Sequence, residues 1–328
     1  MLTGGMALHK PSRSQAGKNS RIMLLFIEQI LNGLQLGVFL FLVSAGLTLI
    51  FGIMGVINLA HGSLYMIGAY TCATVSMASG SYWLGFLAAG LAAALAGALM
   101  EVILMRRLYR RDHLDQVLVT FGLILFVNEA VTMIWGRTPL FMDLPQSLSG
   151  SVEIVPGAPY PVYRLGVILA GLAGAVGLWF LISKTRIGML IRAGSTNREM
   201  VSALGVDIDR LYTLLFAAGA VLAGLAGAFA GPLVSVQVGM GESILILAFV
   251  VVVIGGIGSV RGALVGAILV GLVDTLGRAF LRDFLGLFLP PAEAAGMGAA
   301  LSSMGIYIVM ALILVIRPKG LFPVVAGR

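Results

Sequence analysis

The sequence predicts an all-α polytopic membrane protein, a bundle of about ten transmembrane helices with eight or nine as the alternative. Three observations carry that expectation. The 328 residues are 59% hydrophobic and only 11% charged, with a mean hydropathy of +1.04, whereas soluble domains average roughly a quarter charged residues. The apolar runs reach about 20 residues, the length of a helical span, and lack the alternation of barrel strands. The net charge is +7, but most cations sit in short segments between apolar runs, where they set orientation. Nucleic acid is therefore not an expected partner, and membrane lipid is.

Residues 1–21 carry Lys10, Arg13, Lys18 and Arg21 among several serines. They look like a signal-peptide n-region, yet the following apolar stretch is too long and no small-residue cleavage site closes it. An uncleaved, flexible cytoplasmic tail is expected. From Ile22 to Ile57 the only charge is Glu28. One straight helix of that length would run about 54 Å against a hydrocarbon core of about 30 Å. Two passes, or one pass and a re-entrant segment, are expected there.

Further spans are expected at 58–79, 83–105, 116–136, 163–183, 211–231, 243–260, 262–281 and 300–316. They complete a transmembrane domain over 22–318, followed by a short tail at 319–328. With ten passes both termini are cytoplasmic, and every Lys and Arg except Arg137, Arg164, Arg278 and Arg282 falls inside. The GxxxG pairs Gly33/Gly37, Gly227/Gly231 and Gly262/Gly266 imply tight helix packing. The lone Cys72 can form no internal disulfide.

Residues 51–70, FGIMGVINLAHGSLYMIGAY, place Asn58, His61 and Ser63 in a glycine-broken apolar run. Polar side chains and interrupted helices are tolerated at membrane depth where they face protein or a water-lined path. The segment reads either as a translocation route or as two helices capped at a tight junction. Asn128 and Glu129 in one expected span, and Asp274 in another, are intramembrane polar groups. Glu129 reads as a pathway or gating group or as an interhelical partner, whereas Asp274 can pair with Arg278 four residues on. Gln29, Asn32 and Gln35 form a polar stripe, for a pathway or for interhelical hydrogen bonds.

The longest polar interruption on the expected inner side is 184–210. Thr196 and Glu199 have capping-box spacing and Gly205 supplies a stop, so a short helix over Thr196–Leu204 is expected. It would carry Arg198 and Glu199, with Met200, Val201 and Leu204 on one side. So short a helix needs either the membrane interface or a groove on a soluble protein.

Three segments together resemble the permease family of high-affinity branched-chain amino-acid ABC importers: 30–70, 191–210 and the glycine-rich turn VVVIGGIGSVRGALVGAILVG at 251–271. The likeness spans roughly residues 26–318. It implies a type II-like importer fold that pairs with a second, related permease, is powered by two cytoplasmic ATPases and is served by a periplasmic substrate-binding protein. Residency in a bacterial inner membrane follows. The 191–210 segment then looks like the coupling helix, and Thr196, Arg198, Glu199, Met200, Val201 and Leu204 like its docking residues. Asn58, His61, Ser63, Asn32, Asn128 and Glu129 become pathway candidates. The implied cargo is a branched-chain or other small amino acid; members of the family also import urea and short amides. Ser63 departs from members that carry an acid after the His-Gly pair.

No GxxxxGK[ST] occurs, and the cluster from Gly255 to Gly262 misses GxGxxG because Arg261 stands last. No metal-ligand spacing and no nucleophile–base pair is present. The chain is expected not to be an enzyme and to hold no cofactor, with ATP bound by partner subunits. Rival classes are an ion-coupled carrier using Glu129 or Asp274 and a channel filtered at Asn58–Ser63; neither needs a capped docking helix.

Overall fold

The computed structural model describes residues 13–109, 111–155, 158–196 and 198–323. Its central post is α1 (Arg13–Met54), a single helix of 42 residues, about 63 Å at 1.5 Å per residue. Every residue from Gly37 to Ile50 is buried. Around it stand α6 (Val162–Lys184), α9 (Ile208–Ala230), α10 (Met240–Gly255) and α11 (Val260–Leu285). α2 (His61–Ser79) and α3 (Tyr82–Met100) form a hairpin against α9, and a π-helical turn over Glu101–Met105 leads into the short α4 (Arg106–Leu108). α5 (His113–Trp135) and α12 (Pro291–Ile316) lie outermost, and α7 (Arg186–Thr196) and α8 (Arg198–Ala203) form an arm between α6 and α9.

The two passes expected over 22–57 are one helix. Protein rather than lipid clothes the middle of α1, so its length is not tied to bilayer thickness. Its first turns, with Met23 and Phe26 exposed, run past the packed part. Among the described residues seven helices are long and apolar enough to span a membrane. The 19-residue α2 and 16-residue α10 bring the bundle to nine rather than ten.

Contacts define the two ends of this bundle. At one, Phe26 packs on Phe280, and Tyr82 bonds Tyr163 at the start of α6. At the other, Tyr109 meets Met54, a Cβ on Gly52 would lie 2.4 Å from Gly258, and Leu321 N–H donates to the Ile254 carbonyl at 2.9 Å. The 106–113 and 184–208 segments belong to this second, basic end, because Val201 packs with Met54 and Tyr109. α1 begins at the opposite end, whereas ten passes had put its start beside those segments. Replacing two passes by one reverses the parity.

Two expectations about packing stand. Gly33 and Gly37 press on Gly271 and Ala267 of α11, and Gly262 presses on Gly255. Asp274 forms its pair with Arg278 at 2.9 Å. An element that no apolar pattern announced is a β-hairpin in the loop before α6, with β1 (Ser151–Val155) antiparallel to β2 (Ala158–Pro161) and Val152 opposite Tyr160.

Candidate functional site at the broken helices

Gly55, at φ +68°, ends α1 in the left-handed conformation that glycine adopts without a Cβ penalty. Residues 55–60 are then non-helical, although Val56, Asn58 and Ala60 are buried. Inside a bundle such backbone must find partners. The Ile57 N–H donates to Gln116 Oε1 at 3.1 Å, and Gln116 Nε2 donates to the carbonyls of Leu108 and Arg111. Asn58 Oδ1 accepts from the Ala60 N–H at 3.0 Å, an Asx turn that launches α2. The helix-junction reading thus accounts for Asn58.

His61 is different. It opens α2 with no exposed surface, its ring against α1 where a Cβ on Gly46 would come 2.9 Å from Nε2. Neither ring nitrogen has a well-formed hydrogen bond among the described residues, the approach to the Val43 backbone included. A buried polar group left so is costly and calls for a role.

One residue on, at Gly62, the starts of α2 and α10 meet backbone to backbone. A Cβ on Gly62 would fall 2.2 Å from the Gly241 oxygen, and one on Gly241 would fall 2.2 Å from the Gly62 oxygen. Ser63, Met66, Asn128, Glu242 and Leu245 surround this contact so closely that no water-sized space is left between them, and Asn128 Nδ2 donates to Glu242 Oε1 at 2.5 Å. Asn58, His61, Ser63 and Asn128 therefore share one neighbourhood.

Two expected pathway residues do not join it. Asn32 lies at the opposite end of α1, where its Oδ1 accepts from Tyr160 at 3.1 Å and Arg164 at 2.6 Å. It clamps the hairpin and the start of α6 to α1. Glu129 points outward from α5 and is exposed. Sequence reasoning missed Glu242, because the expected span opened at 243. The available signal was a carboxylate in the first turn after Gly239, the position that a helix dipole favours for an acid.

At the basic end, α8 closes at Ala203, and the turn after it carries Gly205 (φ +85°), the expected stop. The Thr196 and Arg198 side chains, and Asn197 altogether, lie outside the described residues. Glu199 is exposed, as are Met200 (60%) and Leu204 (76%). Val201 corrects the expectation of a shared docking face. It is buried against Ile208 and Tyr212, because α8 is too short to stand without anchoring one side on its own chain.

Beside this anchor lies a second site that the sequence reading passed over. Glu101, fully buried, takes two bonds from Arg106 Nε at 3.1 and 3.2 Å, one from Tyr109 at 2.8 Å and one from Thr213 at 2.6 Å. Glu101 and Arg106 are five apart, a spacing that an α-helix does not align. The π-helical turn, with its i→i+5 pattern, does.

Interrupted helices that meet by their first turns inside a bundle, with a basic helical arm at one end, define a polytopic membrane protein of the transporter class. The family model described as the branched-chain amino acid transport system permease component matches residues 29–316, and the chain belongs to that family. It is 30% identical over 281 residues to the high-affinity branched-chain amino acid transport system permease protein LivH of Salmonella typhimurium, covering 80% of this chain and 89% of the relative. It is 29% identical over 272 residues to the corresponding permease protein BraD of Pseudomonas aeruginosa, covering 79% and 88%. Over 313 residues it is 28% identical to the permease protein LivM of Escherichia coli, covering 86% of this chain and 67% of that one. No solved structure matches the chain.

Proposed function

We propose that this chain is one of two permease subunits of an ATP-driven importer, and that its cargo is a branched-chain amino acid. The observation that carries the transport reading is the junction where α2 and α10 meet. It is closed and gathers Ser63, Asn128 and Glu242 at two helix starts; when α2 and α10 separate, the positive ends of the helices would favour the carboxylate of an amino acid and Glu242 its ammonium. His61 sits behind it as a hydrogen-bonding partner or gate. The names of the relatives support the cargo, and likeness to both LivH and LivM supports pairing with a second, related permease.

The exposed side of α5 supports the same assembly. Leu118, Phe121, Leu125 and Phe126 make it apolar, yet it carries the exposed carboxylate of Glu129. Such a group facing hydrocarbon is costly, so a partner subunit or a wet path between subunits covers this face. ATP is bound by two cytoplasmic ATPases that engage Glu199, Met200 and Leu204, and a periplasmic binding protein delivers substrate. The basic end of the bundle is cytoplasmic on this reading.

Uptake of radiolabelled leucine, isoleucine, valine and urea by the reconstituted complex tests it. Branched-chain uptake that requires ATP and the binding protein is expected. Uptake of urea alone would overturn the cargo, and ATP-independent uptake by the isolated chain would overturn the machinery.

A further inference from the structure

At the basic end, α1, α6 and α11 leave a cavity of about 850 Å³, within the roughly 300–1,000 Å³ that a small amphiphile fills. Its floor is Phe41 and Leu49 of α1, and Trp179 and Val176 of α6 stand at its side. Val176 is 64% exposed, so the cavity opens through the α6 face. That face continues in Leu169, Leu172 and Phe180, all exposed and apolar. Arg192 and Arg261 supply the cations of its lining, with His113, Ser183 and Ser259 as further polar groups, and no carboxylate is among the described lining residues. The Arg192 guanidinium is held over the end of α6 by donating to the Ile182 carbonyl.

We propose that this cavity binds an anionic phospholipid, with one acyl chain in the slot beside Trp179 and the phosphate between Arg192 and Arg261. The separation of chemistry selects that occupant. An apolar slot that opens sideways onto an exposed apolar helix face takes a hydrocarbon chain, and a cationic rim at the helix ends suits a headgroup phosphate. A soluble anion would satisfy the rim and leave the slot empty. A zwitterionic lipid would fill the slot but carries a second charge that the rim repels. The site lies outside the Ser63–Glu242 junction and stands whatever the cargo.

Native mass spectrometry of the delipidated full chain tests this, by titration with dioleoylphosphatidylglycerol, dioleoylphosphatidylcholine or glycerol 3-phosphate. Each cation is expected to contribute about fivefold, so phosphatidylglycerol should bind more than about fivefold tighter than phosphatidylcholine. Arg261→Gln should remove about fivefold of that preference and leave phosphatidylcholine binding unchanged. Val176→Trp, which fills the slot, should weaken both lipids. Equal binding of the two lipids by the wild-type chain overturns the proposal without any variant. Glycerol 3-phosphate binding as tightly as phosphatidylglycerol reduces the site to a phosphate site. Undiminished preference in Arg261→Gln also refutes it.

Discussion

Asn58 and His61 are three residues apart and equally buried, yet their polar atoms fare differently, and that difference separates their roles. Asn58 closes a turn with its own backbone neighbour, so Asn58→Ala should cost about 0.5–2 kcal/mol of stability, as loss of a helix-start bond does. Assembled complexes carrying it should still transport. His61 has no such bond to lose. His61→Leu keeps an apolar residue in the space and removes an unpaired buried polar group, so the thermal melt of the purified chain should not fall. Amino-acid uptake should fall at least tenfold; normal uptake would return His61 to packing alone. Glu101 gives the opposite pattern. Four hydrogen bonds converge on its carboxylate, and Glu101→Ala removes the acceptor that Arg106, Tyr109 and Thr213 share, although the partly exposed Arg106 keeps the Thr213 hydroxyl and the Asp209 carbonyl. A loss of about 1–3 kcal/mol is expected, read as a drop in melting temperature.

At the scale of the element, α8 divides its residues between two duties. Val201 fastens it to Ile208 and Tyr212, while Met200 and Leu204 face outward. Val201→Ala should therefore destabilise the chain by about 1–3 kcal/mol. Leu204→Asp should leave the melt alone and weaken ATPase co-purification. Glu199→Lys should act like Leu204→Asp, because a reversed charge meets a surface shaped for an acid. If both outward substitutions preserve complex assembly and substrate-stimulated ATP hydrolysis, α8 is not the docking element. The sequence foretold a short helix here and its stop at Gly205 from local chemistry, but Thr196, expected to open it, ends α7 instead, and which side faced inward depended on α9 and Tyr109, which no local pattern encodes. An interruption near Asn58 was legible because polar residues stand out in an apolar run, but the break expected at 58–63 lies at 55–60, and His61 and Ser63 belong to α2. Glu242 and Glu101 were not legible: Glu242 lies just outside the run expected at 243–260, and Glu101, inside 83–105, finds its partners through a π-helical turn that no spacing rule announces. The likeness over 30–70, 191–210 and 251–271 supplied the family, which the match over residues 29–316 establishes.

For the whole molecule, the decisive matter is the single pass of α1. Hydrophobic length distinguishes apolar from polar surroundings, not lipid from protein, so a helix enclosed by its own bundle reads as two spans. The contacts leave no such freedom. Asn32 is tied to Arg164 at one end of α6, and Met54 lies with Tyr109 and Val201 near the other. The start of α1 and the α7–α8 arm lie at opposite ends of the bundle, and opposite sides of the membrane are expected for them. Single cysteines at Ser14, Ser147 and Ser202 test this in sealed cells with an impermeant thiol reagent, because the native Cys72 is buried and should stay silent. Ser147→Cys, in the loop before the hairpin, and Ser14→Cys should label from the same side. Ser202→Cys, exposed on α8, should label only after the membrane is opened. Should Ser14→Cys and Ser202→Cys label together, α1 does not cross as one helix, and the ten-pass arrangement with a cytoplasmic amino-terminal segment is restored.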